Sequence, residues 1–165
     1  SDHPSLFIAS IRSNNEVFWL RSGKKPRIVG VEEVAIAVRD ADRAAKVFEE
    51  LFGMRFGVEW ELPHEGIRVK SERVGDTQIQ LVQPTTPESV VAKFIEARGE
   101  GLNHIAFKVE NLDELVEELR KKGVVLVPEK PVEVDNPLKK GEKARYIFIH
   151  PKSACGVLVE LIETG

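Results

Sequence analysis

Two stretches of the chain repeat one pattern: VEEVAIAVRDAD at residues 31–42 and LNHIAFKVENLD at residues 102–113. They align without a gap, and five apolar positions of the first fall opposite apolar positions of the second. In both, a run rich in apolar and β-branched residues leads into a polar residue suited to begin a helix. Agreement of strand period and helix start at matching positions indicates an internal duplication.

Each copy continues with a helix and three strand-like segments, so the chain reads as two βαβββ modules in tandem. We expect one domain over residues 30–163, made of modules 30–84 and 101–163. A helix predicted at 86–98 joins them, with Thr86 as its N-cap. Residues 1–29 form an N-terminal extension, for which an edge hairpin or a dimer contact is expected.

The composition excludes several classes of protein. Among the 165 residues, 42% are hydrophobic and 31% are charged, which suits a buried core and argues against disorder. The net charge of −3 offers no basic surplus for nucleic acid. No apolar run approaches the roughly 18 residues that a membrane helix needs. The single cysteine, Cys155, rules out an internal disulfide and favours the cytoplasm.

The duplication also aligns polar residues. Glu33 falls opposite His104, and Gln80 in TQIQLV falls opposite Glu160 in VLVELI. Because side chains alternate along a strand, these four point away from the helix-covered core face and towards a concave one. A two-fold repeat would bring them to one point, where two carboxylates, an imidazole and an amide oxygen suit a divalent metal.

The residues beside Glu33 are small. Ala35 and Ala37 share its strand face, and we expect them to leave room for a ligand. His64 and Glu65 lie in a loop-like segment that either overhangs this site or is simply solvated.

Paired βαβββ modules with ligands on their first and last strands resemble the vicinal oxygen chelate superfamily. That superfamily includes glyoxalase I, ring-cleaving dioxygenases, antibiotic-resistance proteins and methylmalonyl-CoA epimerases. The segments that carry the closest likeness, to the epimerases, are ELPHEGIRV (61–69), SVVAKFIEARGEGLNHIAF (89–107) and FIHPKSACGVLVEL (148–161). The resemblance implies an α+β fold in which the two modules form a curved, cup-like mixed sheet with helices outside.

The resemblance also implies a divalent metal cofactor, with Mn, Co, Zn, Mg and Ni left open. The implied ligands are Glu33, Gln80, His104 and Glu160. Glu33 departs from the family, since epimerases usually carry a histidine there. Some epimerases have a further catalytic carboxylate three positions after the glycine of the ELPHEGIRV segment; here that position is Val69, which cannot move a proton.

The implied activity is that of a metal-dependent acyl-CoA epimerase, an isomerase that removes the proton next to a thioester through an enolate. Glu160 is the first expected base, and Glu33 the second, serving the opposite face of the substrate. Two alternatives stay open: a lactoylglutathione lyase of the glyoxalase I type acting on a thiol adduct, and a non-catalytic small-molecule-binding protein. A homodimer is the expected assembly.

Overall fold

The computed structural model describes residues 27–165, so the expected N-terminal hairpin lies almost entirely outside the described residues. The strands are β1 (Ile28–Ala37), β2 (Val58–Leu62), β3 (Ile67–Val74), β4 (Thr77–Pro84), β5 (Gly101–Val109), β6 (Leu126–Asp135), β7 (Lys143–Ile149) and β8 (Val159–Thr164). The helices are α1 (Ala41–Phe52), α2 (Val90–Arg98) and α3 (Leu112–Lys121), with a short 3₁₀ turn at Pro151–Ser153. The first strand therefore begins two residues before the predicted domain boundary at residue 30.

The eight strands of residues 27–165 form one mixed sheet in the order β2-β3-β4-β1-β5-β8-β7-β6. Its two halves repeat one another, since β1 runs parallel to β4 and β5 runs parallel to β8. The first strands of the two modules, β1 and β5, pair antiparallel at the centre. This confirms the predicted α+β fold built from two βαβββ modules.

Helices α1 and α3 cover the outer face of the sheet. The side chains of Ile36, Val38 and Leu81 pack in one cluster with α1, whose Ala41 is fully buried. Asp40 caps α1 by accepting hydrogen bonds from the backbone amides of Asp42 and Arg43. The repeat-equivalent residues of β5 pack with α3 in the same manner, so the outward side-chain alternation predicted from the sequence is confirmed.

Helix α2, which joins the modules, differs from its prediction at its start. It begins at Val90 rather than near residue 86, because the Ser89 hydroxyl accepts the hydrogen bond of the Val91 amide at 3.2 Å. The carbonyl of Thr86, the predicted cap, instead accepts the Ser89 amide at 3.3 Å in a turn that precedes the helix.

Helix α2 also occupies space that was expected to be open. Its Val91 and Ile95 share a buried cluster with Ala35 and Ala37, on the sheet face that carries Glu33. The two alanines are fully buried and make room for packed side chains rather than for a ligand. Helix packing thus covers part of the inner face of the first module, and the open part of the cup lies beyond it.

Candidate active site

Three of the four predicted ligands meet at the centre of the sheet. Glu33 on β1, His104 on β5 and Glu160 on β8 lie on three neighbouring strands. Nε2 of His104 is 3.3 Å from Oε2 of Glu33 and 3.2 Å from Oε2 of Glu160. The potential ligand atoms of the three residues all lie within 4.8 Å of one another. The duplication therefore predicted a real convergence of side chains.

The fourth predicted residue, Gln80, lies one strand away on the same face. Its Cα is the ladder partner of Ala35, which follows Glu33 by two positions. Its amide nitrogen donates to Oε1 of Gln78 at 3.4 Å. This bond holds the amide by its nitrogen, and the oxygen, the atom that a cation would take, is on the other arm of the group.

Asn103 orients the imidazole of His104. Its Oδ1 lies 2.8 Å from Nδ1 of His104, which is the distance of an N–H···O hydrogen bond. With Nδ1 donating to Asn103, Nε2 is directed to the two carboxylates. The ring of Phe148 meets the imidazole edge to face at 5.5 Å between centroids. Sequence reasoning did not predict this role for Asn103, although its position directly before His104 was visible.

The cluster has an unusual charge balance. Glu33 and Glu160 are each only 6% exposed. Burial opposes a charge on the imidazole, but hydrogen bonds to Glu160 and Glu33 outweigh it and raise the pKa of His104 to about 10. Burial, reinforced by the charge of Glu33, raises the pKa of Glu160 to about 8. The carboxylates repel each other, and a divalent cation among them would remove that repulsion.

A buried network of polar side chains supports this cluster on the side of the first module. The Ser71 hydroxyl donates to Oε1 of Gln78 at 2.9 Å. Nε2 of Gln78 in turn donates to Oε1 of Glu32 at 3.1 Å. The guanidinium of Arg73 approaches Glu32 at 3.5 Å. The alternation of Gln78 and Gln80 along one strand was the available signal for this network.

The cluster lies between two adjoining clefts. Glu33 and Gln80 line one cleft of about 1020 Å³, whereas His104 lines the other, of about 1070 Å³. The second cleft is bounded mainly by apolar side chains, including those of Phe94 and Phe148. A ligand in the second cleft would reach the cluster at the His104 side, in mainly apolar surroundings.

The turn between β2 and β3 crosses over the second cleft. Nε2 of His64 lies 3.0 Å from the hydroxyl oxygen of Tyr146 on β7. Glu65 lines the cleft, is partly buried and accepts a hydrogen bond from the same hydroxyl. Of the two alternatives for His64 and Glu65, the structure confirms the overhanging segment.

Burial governs the ionisation of these residues. It raises the pKa of Glu65, against the lowering effects of His64 and of the Tyr146 hydrogen bond. It also raises the pKa of Tyr146, with further contributions from the charges of Glu65 and Glu160. The phenol therefore stays neutral and acts at this site as a hydrogen-bonding group.

Comparison with known sequences places this arrangement in a family. The profile of the glyoxalase/bleomycin resistance protein/dioxygenase superfamily matches residues 32–141. The chain belongs to this superfamily. The match covers β5, the part of β1 from residue 32 onwards, and three of the four predicted ligand positions, those at residues 33, 80 and 104.

Several relatives within the superfamily are named as epimerases. Mitochondrial methylmalonyl-CoA epimerase of Homo sapiens is 32% identical over 133 residues, which are 79% of this chain and 72% of that protein. The crystal structure of methylmalonyl-CoA epimerase from Mycobacterium tuberculosis is 36% identical, with a TM-score of 0.75 over 86% of this chain and 92% of that one. A methylmalonyl-CoA epimerase in complex with methylmalonyl-CoA and NH4+ is 27% identical, with a TM-score of 0.73 over 84% and 96% of the two chains.

Two further features characterise this superfamily member. Val69, at the position where some epimerases carry a carboxylate, is 2% exposed in an apolar cluster and offers no acid or base. Within residues 27–165, no helix has the length and apolar character required to cross a membrane.

Proposed function

We propose that this protein is a metal-dependent epimerase of an acyl-CoA, similar to methylmalonyl-CoA epimerase. The observation that carries the proposal is the convergence of two buried carboxylates on Nε2 of His104 beside an apolar cleft. The likeness to proteins named methylmalonyl-CoA epimerase, over most of the chain and in both sequence and fold, supports the same reaction class.

The residues present fit a divalent metal ion. Glu33, Gln80, His104 and Glu160 would hold it, with Mn, Co, Zn, Mg and Ni all compatible with a set of three oxygens and one nitrogen. Two carboxylates within 4.8 Å of each other in a buried position are costly without a compensating cation. When bound, the ion would stabilise the negative charge that develops on the carbonyl oxygen of the thioester.

Glu160 is the proposed base. It lies on β8 beside His104 with one carboxylate oxygen at the cluster, so the other oxygen would take the substrate proton. As the α-proton leaves for Glu160, the electron pair of the C–H bond moves to the thioester oxygen. The apolar cleft keeps competing water away from the carbanion-like centre.

Glu33 makes this site more acidic than the usual family set. One histidine fewer and one carboxylate more give two formal negative charges, which neutralise a divalent cation. The neutralised centre would withdraw less charge from a thioester oxygen, and it would attract a substrate that bears its own carboxylate less strongly than a positively charged centre does. The proposal therefore includes acyl-CoA substrates other than methylmalonyl-CoA.

Solvent deuterium exchange tests the proposed function. Purified protein, reconstituted in turn with each of the five metals, is incubated in D₂O with methylmalonyl-CoA. Deuterium should enter the α-position faster than in the enzyme-free blank, and the two epimers should interconvert. Absence of exchange at every metal loading, both with methylmalonyl-CoA and with an acyl-CoA that lacks the second carboxylate, would refute the epimerase.

Two parallel measurements separate the alternatives. Conversion of the thiol adduct of methylglyoxal and glutathione, without deuterium entry into the acyl-CoA, would identify the lyase. Less than about a tenth of an equivalent of bound metal after reconstitution would contradict both enzymes and favour a binding protein.

We further propose that the protein forms a homodimer and works in the cytoplasm. The single, exposed cysteine is suited to a reducing compartment. Light scattering of the purified chain measures the oligomeric state directly.

A further inference from the structure

Epimerisation needs a proton to leave one face of the α-carbon and another to arrive on the opposite face. Two acid–base groups, one on each side, are the simplest arrangement. Glu160 supplies one from the sheet. Val69 cannot supply the other, because its apolar side chain is buried in the core.

Glu33, the second base expected from the sequence, is poorly placed for the opposite face. Two bases that flank one carbon each approach it to roughly 3–3.5 Å, so their oxygens are about 6–7 Å apart. The ligand atoms of Glu33 and Glu160 lie within 4.8 Å of each other, and both contact Nε2 of His104. The two carboxylates therefore approach a substrate from the same side.

Glu65 enters the cleft from elsewhere. It belongs to the turn between β2 and β3, which stand at one end of the sheet, whereas β7 stands near the other end. The neighbouring His64 nevertheless contacts the hydroxyl of Tyr146 on β7, 82 residues away in sequence. The turn therefore spans the cup, above the strands that carry the metal-type cluster. Glu65 and His104 line the same cleft, and the Tyr146 hydroxyl donates a hydrogen bond to the Glu65 carboxylate.

Backbone hydrogen bonds fix the turn that carries Glu65. The amide of Glu65 donates to the carbonyl of Leu62 at 3.0 Å, and the amide of Gly66 donates to the carbonyl of Pro63 at 3.1 Å. The carbonyl of Gly66 accepts the amide of Thr85 at 2.7 Å, which ties the turn to the end of β4. These bonds fix the backbone from which the Glu65 side chain enters the cleft.

We propose that Glu65 is the second acid–base residue of this enzyme and serves the face of the substrate opposite to Glu160. This inference rests on the proposed function. In one direction, Glu160 takes the α-proton and the C–H electron pair moves to the thioester oxygen. The carboxylic acid of Glu65 then gives its proton to the other face of the α-carbon as the electron pair returns. Glu160 ends protonated and Glu65 ionised, and exchange with solvent resets both. Tyr146 positions the Glu65 carboxylate.

The test follows each epimer separately in D₂O. The metal-loaded Glu65→Gln variant is given (2R)- or (2S)-methylmalonyl-CoA, and mass spectrometry and chiral analysis report deuterium entry and inversion. Loss of one of two bases should slow inversion by about 10²–10⁴-fold. Deuterium should still enter one epimer with retention, within tenfold of the wild-type rate, because Glu160 can return a deuteron to the face from which it took the proton.

Matched variants complete the experiment. Glu61→Gln makes the same change at an exposed position of the same hairpin and should leave inversion unchanged. Glu65→Asp keeps a carboxylate on a side chain one methylene shorter. Its inversion rate should be at least tenfold higher than that of Glu65→Gln. If Glu65→Gln does not fold, Glu65→Ala takes its place: slowed inversion with preserved exchange from one epimer supports the proposal, and unchanged inversion overturns it.

Two results would overturn the role of Glu65. One is inversion by Glu65→Gln within threefold of wild type. The other is equal loss of exchange from both epimers in a variant with normal metal content and circular dichroism. A failure of the proposed function looks different, because the wild-type protein itself would then exchange neither epimer.

Discussion

Metal loading should release protons from the cluster around His104. In the metal-free protein the pKa of His104 is about 10 and that of Glu160 about 8. At pH 7 the imidazole is then almost fully protonated, and about nine-tenths of Glu160 is protonated as well. A metal binds the neutral imidazole and the ionised carboxylate, so each ion bound at pH 7 should displace about two protons.

The number of protons should depend on pH. Towards pH 9 Glu160 is already ionised, and the release should fall to about one proton per metal, supplied by His104. Between pH 6 and pH 7 the apparent affinity should rise by about 100-fold, which is tenfold for each displaced proton. Titration calorimetry with Mn²⁺ or Co²⁺, in buffers of different ionisation enthalpy, counts the protons directly.

A glutamine variant of His104 serves as the control for this measurement. His104→Gln cannot hold the imidazole proton, so the release at pH 7 should drop by about one, with weaker binding. Fewer than one proton per bound metal in the wild-type protein would refute the reasoning, because the ion would then have displaced neither group. A metal affinity that stays flat between pH 6 and pH 8 would refute it as well.

Four further outcomes are expected. The free energy of unfolding of the metal-free protein should fall as pH rises from about 5 to about 10, because the raised pKa values of His104 and Glu160 make the folded state bind more protons than the unfolded one. Urea titrations at several pH values measure this, and a rise in stability over that range would contradict it. Gly66→Ala should lower the free energy of unfolding by about 1 kcal/mol or more and slow turnover, because Gly66 has φ +64° and an added Cβ would lie 2.8 Å from the hydroxyl of Thr86. An unchanged urea midpoint and an unchanged kcat would contradict this prediction. Asn103→Ala should weaken metal affinity by about 10–100-fold with the fold intact, measured by competition with a chelating dye, and wild-type affinity would exclude its orienting role. Glu33→His should keep or raise epimerisation of methylmalonyl-CoA, whereas complete loss with metal bound would mean that Glu33 itself moves a proton.

Local and repeated patterns were enough to predict most of the strands, the outer helices and the convergence of three of the four predicted ligands. The two-residue period of a strand decides which side chains share a face, and the duplication relates Glu33 to His104 without any knowledge of distances. The cap of α1 at Asp40 was likewise readable, since its carboxylate bonds to amides only two and three residues away.

The features that sequence reasoning missed depend on contacts between distant segments. Thr86 and Ser89 are both suitable caps, and the turn that precedes α2 decides between them. Ala35 and Ala37 are small because a helix packs on them, which requires knowing where α2 lies. The approach of Glu65 to Tyr146 depends on how strongly the sheet curls, and no local pattern specifies that curvature.

The phenol under the β2–β3 turn is the only tyrosine in the chain. Biosynthetic replacement of tyrosine by a fluorinated analogue would therefore label a single position, on the wall of the cleft and in contact with the turn. The protein would carry one fluorine resonance, without the assignment problem that several tyrosines create. The chemical shift of this resonance would report whether the turn moves away from the tyrosine when an acyl-CoA binds, and its line width would report how fast the turn returns. The label leaves every acidic residue of the site unchanged.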